Sequence, residues 1–140
     1  MPIEHLARDD VVSASPETAV SDIAKRMRDE NVGSVVITDA DSPVGIITDR
    51  DMTTRVLAEG TDPTTETASD VMTADLCAVG PDAGFYQAAE TMSENGVRRL
   101  PVCTDDNELV GIITADDLTE LLADEQEKLA EVIRAQRPSY

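Results

Sequence analysis

One seven-residue phrase occurs twice in this 140-residue chain and constrains its fold more than any other feature. The first copy, GIITDRD, occupies Gly45–Asp51, and the second, GIITADD, occupies Gly111–Asp117, a step of 66 from 45 to 111. Upstream, Pro16 matches Pro81 and Met27 matches Met92 at a step of 65. A period near 65 is too long for a solenoid repeat and indicates two copies of a small α/β unit.

Each copy is too small to be very stable alone, because a unit of about 65 residues buries too little surface on folding. We therefore expect the two halves to pack on each other around a shared core.

The periodicity of apolar residues predicts the order β-α-β-β-α in each half, an α/β (α+β) fold. The first helix, Val20 to Asn31, is expected to take its N-cap from Thr18 or Ser21. A second helix, Asp49 to Glu59, should turn Met52, Val56 and Leu57 inward. The chain divides into repeat 1 (residues 6–60), a linker (61–70), repeat 2 (71–124) and a helical tail (125–140).

The last helix starts near Ala115 and meets no helix breaker before Pro138. Its apolar side chains form a stripe that we expect to pack: Leu118, Leu121, Leu122, Leu129 and Val132.

The chain is strongly acidic, with 29 Asp and Glu against 11 Lys and Arg and a net charge of −18. Such a surface repels phosphate backbones, so we expect no nucleic-acid partner. This acid-rich, lysine-poor composition resembles proteins of extreme halophiles and predicts a haloarchaeal source. No apolar run approaches the ~20 residues of a membrane span, and no secretory signal is present, so we expect a cytoplasmic protein with no membrane partner.

The threonine and aspartate of the repeated phrase allow two interpretations. Thr48 with Asp51, and Thr114 with Asp117, have the spacing of a helix capping box, which alone could explain both pairs. The same corner between a strand and a helix also suits a ligand: free backbone N–H groups and the threonine hydroxyl can hold a phosphate, and the carboxylate can accept bonds from ribose hydroxyls.

Three arginines lie where an anion would need them. Arg50 stands between Thr48 and Asp51, and Arg98 and Arg99 begin a strand of repeat 2. We expect at least one of them to contact phosphate, with surface ion pairing as the alternative. Repeat 1 has Gly33 and Ser34 in place of Arg98 and Arg99, so the two sites should not be equivalent.

The sequence contains no constellation that predicts catalysis or metal binding. His5 is the one histidine, in an N-terminal segment that we expect to be mobile, which excludes a two-histidine metal site. Cys77 and Cys103 have no histidine nearby in sequence to activate them, and we expect both to be buried, reduced thiols.

Two β-α-β-β-α halves that each close with G-h-h-T-x-x-D resemble a tandem pair of cystathionine-β-synthase (CBS) domains, a Bateman module. Asp70–Thr73 and Val97–Val102 agree with this family as well. The resemblance implies pseudo-twofold symmetry, a homodimer paired through helices, and two clefts that bind AMP, ADP, ATP or S-adenosylmethionine as a regulatory ligand, with no cofactor required.

The resemblance also assigns roles by motif. Asp51 and Asp117 would hold ribose hydroxyls, Thr48 and Thr114 would contact phosphate, and Arg50, Arg98 and Arg99 would meet the phosphates. The stretches Ser13–Pro16 and Ala78–Pro81 would flank the base, which places Ser13, Ala14, Ala78 and Val79 in the site. The base would lie on aliphatic surface from Ile46, Ile47, Ile112 or Ile113.

Two functional hypotheses follow. The first is a non-enzymatic, stand-alone sensor of an adenosine-containing ligand that signals to a separate, unidentified regulated protein. The second is a ligand-free interaction or dimerisation module in which the T-x-x-D pairs are only helix caps.

Overall fold

A computed structural model describes residues 3–138, which form a mixed α+β structure with 44% helix and 24% strand. The predicted fold class is confirmed. In chain order the elements are β1 (Ser13–Ala14), α1 (Val20–Glu30), β2 (Ser34–Asp39), β3 (Ser42–Thr48), α2 (Asp49–Asp51, continued by a π-helix at Met52–Leu57), α3 (Ala68–Val71), α4 (Phe85–Asn95), β4 (Arg99–Cys103), β5 (Leu109–Thr114) and α5 (Ala115–Gln136), preceded by a 3-10 turn at Ile3–His5.

Each repeat is built on an antiparallel hairpin, β2 with β3 and β4 with β5. In repeat 1, β1 adds a parallel strand beside β2, with Ser13 opposite Val36. Repeat 2 has the same arrangement in reduced form, a single parallel bridge between Val79 and Val102. The two hairpins and the helices that follow them therefore present matching corners.

The hairpin loops explain why the step between copies grows from 65 to 66. In repeat 1 the two turn residues Ala40 and Asp41 have φ of 51° and 67°, the left-handed pair that a tight two-residue turn requires. In repeat 2 the loop is longer, and the Asn107 N–H donates to the Thr104 carbonyl at 2.9 Å.

The repeats exchange the segments that precede them. Ala68 and Val71 of α3 are buried in the core of repeat 1, whereas Ile3, fully buried, lies in the core of repeat 2. Paired backbone bonds join Thr73 to Ile46 at 3.0 Å, and Arg8 to Ile112 at 2.9 and 3.0 Å. The expectation of a mobile N-terminal segment is therefore wrong for residues 3–8. The domain boundaries at 6–60 and 71–124 stay a prediction.

The linker holds the first helix rather than merely joining the repeats. The carbonyls of Glu66 and Pro63 accept bonds from the Val20 and Ser21 N–H groups, both at 2.9 Å. The N-cap of α1 is Ala19, which has no side-chain cap, so the prediction of Thr18 or Ser21 is wrong. Backbone carbonyls from the linker satisfy groups that a capping side chain would otherwise serve.

One inward-facing prediction is also wrong. Leu57 is 77% exposed, since the helix after Asp51 widens into a π-helix and its last turn leaves the core. On α5, Leu118 is buried, but Leu122, Leu129 and Val132 are exposed within the chain. Residues 139 and 140 of the predicted tail lie outside the described residues. Within residues 3–138, no helix is both long and apolar enough to cross a membrane.

Candidate ligand-binding clefts

Both T-x-x-D phrases form the predicted capping boxes where a buried strand runs into a helix. The Thr48 N–H donates to Asp51 Oδ2 at 2.9 Å, and the Asp51 N–H donates to Thr48 Oγ1 at 3.2 Å. The corresponding distances at Thr114 and Asp117 are 2.9 and 3.1 Å. Capping thus uses one carboxylate oxygen of each aspartate.

The second carboxylate oxygen faces a different arginine in each repeat. Asp51 Oδ1 lies 3.7 Å from Nε of Arg55, one turn along the same helix. Asp117 Oδ1 lies 3.5 Å from Nη2 of Arg8, which comes from the exchanged N-terminal segment. Both aspartate side chains are mostly covered, at 14% and 10% exposed.

A third box of the same type lies outside the clefts. Asp70 Oδ2 accepts bonds from the Thr67 backbone N–H at 2.9 Å and from the Thr67 hydroxyl at 3.0 Å, which lowers the pKa of the Asp70 carboxyl. This exposed pair caps α3 and lines neither cleft, so it offers an internal reference for capping alone.

A cleft that we name cleft 1, of about 210 Å³, opens beside the corner of repeat 1. It combines that corner with the segment before repeat 2 and the start of β4. Its lining is Ile46, Thr48, Asp51, Thr73, Asp75, Leu76, Cys77, Val97, Arg98, Arg99 and Pro101.

Cleft 2, of about 320 Å³, is the pseudo-symmetric counterpart beside the corner of repeat 2. Of the eleven positions that line cleft 1, ten have their equivalents from the other repeat in the lining of cleft 2. The two clefts are therefore built from equivalent positions. The exception is Asp117, against which Arg8 lies. The lining is Arg8, Asp10, Val11, Val12, Glu30, Asn31, Val32, Gly33, Ser34, Val36, Arg99, Ile112, Thr114 and Asp116.

Between the two corners lies a third space, the central cavity, of about 370 Å³. It shares Thr48, Arg98 and Arg99 with cleft 1, and Arg99, Thr114 and Asp116 with cleft 2. Asp49 and Arg50 complete the lining. Of the predicted site residues, the structure brings together both threonines and all three arginines here.

The arginines of the central cavity differ in how they are engaged. Arg98 Nη2 lies 3.4 Å from Asp116 Oδ1, with both side chains well exposed. The guanidinium of Arg99 lies over Gly33, since a Cβ at that glycine would come within 3.2 Å of its Nη2. Within residues 3–138, the side chains of Arg50 and Arg99 have neither an ion pair nor a hydrogen bond. In a chain of net charge −18, acidic partners are abundant, so two guanidinium groups at one cavity without a partner among the described residues are unusual.

Five predicted site residues line none of these three spaces, and one of them is Asp117, which is paired with Arg8. Ala14 and Val79 are buried in the two cores. Ser13 and Ala78 line neither cleft, and the Ser13 carbonyl accepts a bond from Arg26. The clefts are lined two residues earlier, by Val11 and Val12 and by their equivalents, Leu76 and Cys77.

Strand register explains this shift. Ser13 pairs with Val36 in parallel, which places Val11 level with Ser34 at the mouth of cleft 2. The bridge of Val79 to Val102 likewise places Leu76 level with Arg99. Sequence reasoning missed these residues because the register of a parallel pair leaves no local signal.

Of the four isoleucines named as alternatives for the aliphatic surface, two line the clefts. Ile46 and Ile112 line cleft 1 and cleft 2. Ile47 and Ile113 point the other way, because side chains alternate along a strand, and both are fully buried in the cores.

The two cysteines are free thiols in different settings. Cys103 is buried, and burial raises the pKa of its thiol. Cys77 is only half-buried and lines cleft 1, so the expectation that both are buried is wrong for Cys77. Within the described part of the chain, no group of three or more His, Cys, Asp or Glu side chains could hold a metal ion.

Comparisons with known proteins agree with this geometry. The CBS domain family matches residues 3–58 and 68–124. An uncharacterized protein of Methanopyrus kandleri is 37% identical over 120 residues, which are 85% of this chain and 61% of that protein, so the chain spans about three fifths of this relative. The CBS domain-containing protein YhcV of Bacillus subtilis is 34% identical over 108 residues, 77% of this chain and 76% of the relative.

Among solved structures, a CBS domain pair in complex with 5′-methylthioadenosine and S-adenosyl-L-methionine shares the fold, with a TM-score of 0.80. The two chains are 24% identical, and the match covers 89% of this chain and 98% of the other. The chain belongs to the CBS domain family, as a tandem pair of CBS domains.

Proposed function

We propose that this CBS pair binds an adenosine-containing ligand, AMP, ADP, ATP or S-adenosylmethionine, and signals its presence to a separate regulated protein. One observation carries the proposal. The capping boxes at the corners beside two pseudo-symmetric clefts commit only one oxygen of Asp51 and of Asp117, and both clefts meet a cavity that contains three arginines. Asp51 lines cleft 1, whereas Asp117 is paired with Arg8.

The chemistry of cleft 1 suits the parts of such a ligand. Ile46 and Leu76 supply apolar surface for a base, and Asp51 supplies a carboxylate for the ribose hydroxyls. Arg98 and Arg99 lie where this cleft meets the central cavity, and guanidinium groups bind phosphate oxygens well. The solved CBS pair that holds two adenosine compounds adds support from a protein of the same fold.

A thermal-unfolding panel with AMP, ADP, ATP and S-adenosylmethionine tests the proposal. A ligand present at about 100 times its Kd should stabilise the fold by roughly 2.7 kcal/mol. The Asp51→Ala/Asp117→Ala variant is expected to lose that shift.

The third capping box supplies the matched control. Asp70→Ala removes the same kind of cap outside the clefts, so it should lower stability but keep the ligand shift. If no compound raises the unfolding temperature, and the double variant and Asp70→Ala differ only in stability, the T-x-x-D pairs are caps and the interaction-module hypothesis replaces this one.

We infer that the exposed face of α5 binds a second copy of the chain. Leu122, Leu129, Val132 and Ile133 are between 52% and 65% exposed there. The stretch 124–137 also carries little of the net charge of −18, since it balances four acidic residues against Lys128 and two arginines. Two copies can therefore approach along this face with little repulsion, whereas most other surfaces of the chain repel each other.

The mass of the particle in solution tests the homodimer. Wild type should elute as a dimer in size exclusion with light scattering, and Leu129→Glu should be a monomer with unchanged circular dichroism. Leu57→Glu, equally apolar and exposed but on another helix, is the control and should stay dimeric. A dimer that survives Leu129→Glu and Val132→Glu together rules out this face.

We infer further that the protein works in concentrated salt, in the cytoplasm of a halophilic cell. The net charge of −18 creates self-repulsion that is screened when the Debye length falls to roughly 3 Å near 1 M salt. The unfolding temperature should rise steeply with KCl and little with an uncharged osmolyte. Equal responses to both would contradict an electrostatic origin.

A further inference from the structure

The pseudo-symmetric positions of the two repeats differ in charge at the point where the clefts meet. Repeat 1 has Arg50 where repeat 2 has Asp116, and repeat 2 has Arg98 and Arg99 where repeat 1 has Gly33 and Ser34. All of these positions line a cleft or the central cavity. Arg50, Arg98 and Arg99 therefore all line the central cavity, and the three arginines are not divided equally between the two clefts.

The guanidinium groups of that space are available to a ligand. Arg50 and Arg99 have no ion pair or side-chain hydrogen bond within residues 3–138, although acidic residues outnumber basic ones 29 to 11. Arg98 has one partner, Asp116 at 3.4 Å, and exposures of 72% and 79% make that pair weak and easily exchanged. An anion in the central cavity would face three such groups.

Cleft 2 has the opposite character. Asp10, Glu30 and Asp116 line it, and Arg8 is already engaged with Asp117 at 3.5 Å. Three carboxylates thus line cleft 2 against two arginines, Arg8 and Arg99, whereas the central cavity has three arginines against two carboxylates, Asp49 and Asp116. A phosphate is therefore repelled more strongly in cleft 2 than in the central cavity. Of the three arginines that line the central cavity, only Arg99 also lines cleft 2, so a second phosphate there would compete for a group that the first one uses.

We propose that each chain binds one nucleotide. Its base and ribose lie in cleft 1, and its phosphate lies in the central cavity between Arg50, Arg98 and Arg99. Cleft 2 does not accept a phosphate-bearing ligand. The inference rests on the proposed function and narrows its ligand to a nucleotide. S-adenosylmethionine has no phosphate and carries a net positive charge at neutral pH, so the three guanidinium groups attract it less than they attract AMP.

Isothermal titration with AMP, adenosine and S-adenosylmethionine tests this assignment. We expect AMP to saturate at one molecule per chain, and to bind about tenfold or more tightly than adenosine, since charge-assisted bonds to phosphate are strong. S-adenosylmethionine should bind more weakly than AMP. Arg50→Asp, which gives repeat 1 the residue of repeat 2, should weaken AMP about tenfold and leave adenosine nearly unchanged.

Arg28→Asp is the matched control, because it makes the same change of charge on an exposed arginine of α1 that lines neither cleft nor the central cavity. If Arg50→Asp weakens AMP no more than Arg28→Asp does, or if AMP fills two equal sites per chain, the inference is wrong while the proposed function stands. If wild type binds neither AMP nor adenosine nor S-adenosylmethionine, the proposed function fails, and this inference fails with it.

Discussion

The two repeats have nearly the same interior and different surfaces at their clefts. Ile47 and Ile113 are both fully buried at the same place in the two cores, and the segments before each repeat enter the opposite core in the same way. Around the clefts and the central cavity, however, the repeats differ. Repeat 1 has Arg50 where repeat 2 has Asp116, and repeat 2 has Arg98 where repeat 1 has Gly33.

This difference separates the residues that make the fold from those that set what it binds. The repeated phrase keeps glycine, two isoleucines, threonine and aspartate in both copies, which are the residues of the strand, its end and the cap. The residues that changed lie at the ends of those elements, and Arg50 and Asp116 among them are exposed. Substituting a residue in one repeat and the equivalent residue in the other can therefore test whether the two interiors are alike and whether the two surfaces differ.

The largest effect is expected from the matched core positions. Ile47→Ala and Ile113→Ala should each lower the free energy of unfolding by about 2–5 kcal/mol, through lost burial and the cavity left behind. Because both side chains are 0% exposed, the two losses should agree within about 1 kcal/mol. Denaturant unfolding in concentrated KCl measures both. A much smaller loss at one position would show that the cores are not equivalent.

A smaller effect should distinguish the two glycines of the repeated phrase. A Cβ at Gly45 would lie 2.3 Å from Met72 Sδ, whereas one at Gly111 would lie 3.1 Å from the Arg8 carbonyl and 3.3 Å from Ala7 Cβ. Gly45→Ala should cost about 1–3 kcal/mol by overpacking, and Gly111→Ala less.

Met72 and Ala7 are equivalent positions in the exchanged segments, which offers a check on the cause. Combining Gly45→Ala with Met72→Ala should cost less than the sum of the two single changes, because the second removes the atoms that clash. Strict additivity in this double-mutant cycle would mean that the clash with Met72 is not the source of the loss.

A third, still smaller effect concerns Arg8, whose equivalent in the other repeat is Thr73. Arg8 is 64% exposed, so its pair with Asp117 at 3.5 Å should contribute less than about 1 kcal/mol. Arg8→Thr should therefore destabilise the protein slightly at low salt and hardly at all in molar KCl, which screens exposed charges. A loss that persists unchanged at high salt would assign Arg8 a packing role instead.

Much of the architecture could be predicted from sequence because it depends on local signals. Helix and strand periods, the repeated phrase and the T-x-x-D spacing predicted the element order and the two capping boxes, which the structure confirms. The three arginines expected to meet phosphate line one space, the central cavity, together with Thr48 and Thr114, which the sequence had assigned to two separate clefts.

The remaining errors concern contacts between distant parts of the chain. Nothing near Ile3 in sequence shows that it belongs to the core of repeat 2, and nothing near Ser13 shows that Val11 is the residue at the cleft. Leu57 has the right period for an inward position, but the π-helical turn changes its direction. Packing between elements and strand register decide these positions, and neither leaves a local pattern.

The smallest effect is expected at the capping box outside the clefts, and it is a pH effect. The Thr67 N–H and hydroxyl bond the ionised Asp70 carboxylate and lower its pKa in the folded state. A lowered folded-state pKa means that the stabilisation is present above the pKa of the unfolded chain, near 4, and is lost as pH falls through the folded value. Carboxyl NMR titration should show the pKa of Asp70 rising in Thr67→Ala while staying below its ordinary range, because the backbone N–H still donates. If the pKa of Asp70 did not move, the hydroxyl bond at 3.0 Å would make no difference to the charged form, and this box could not serve as the reference for capping in the clefts.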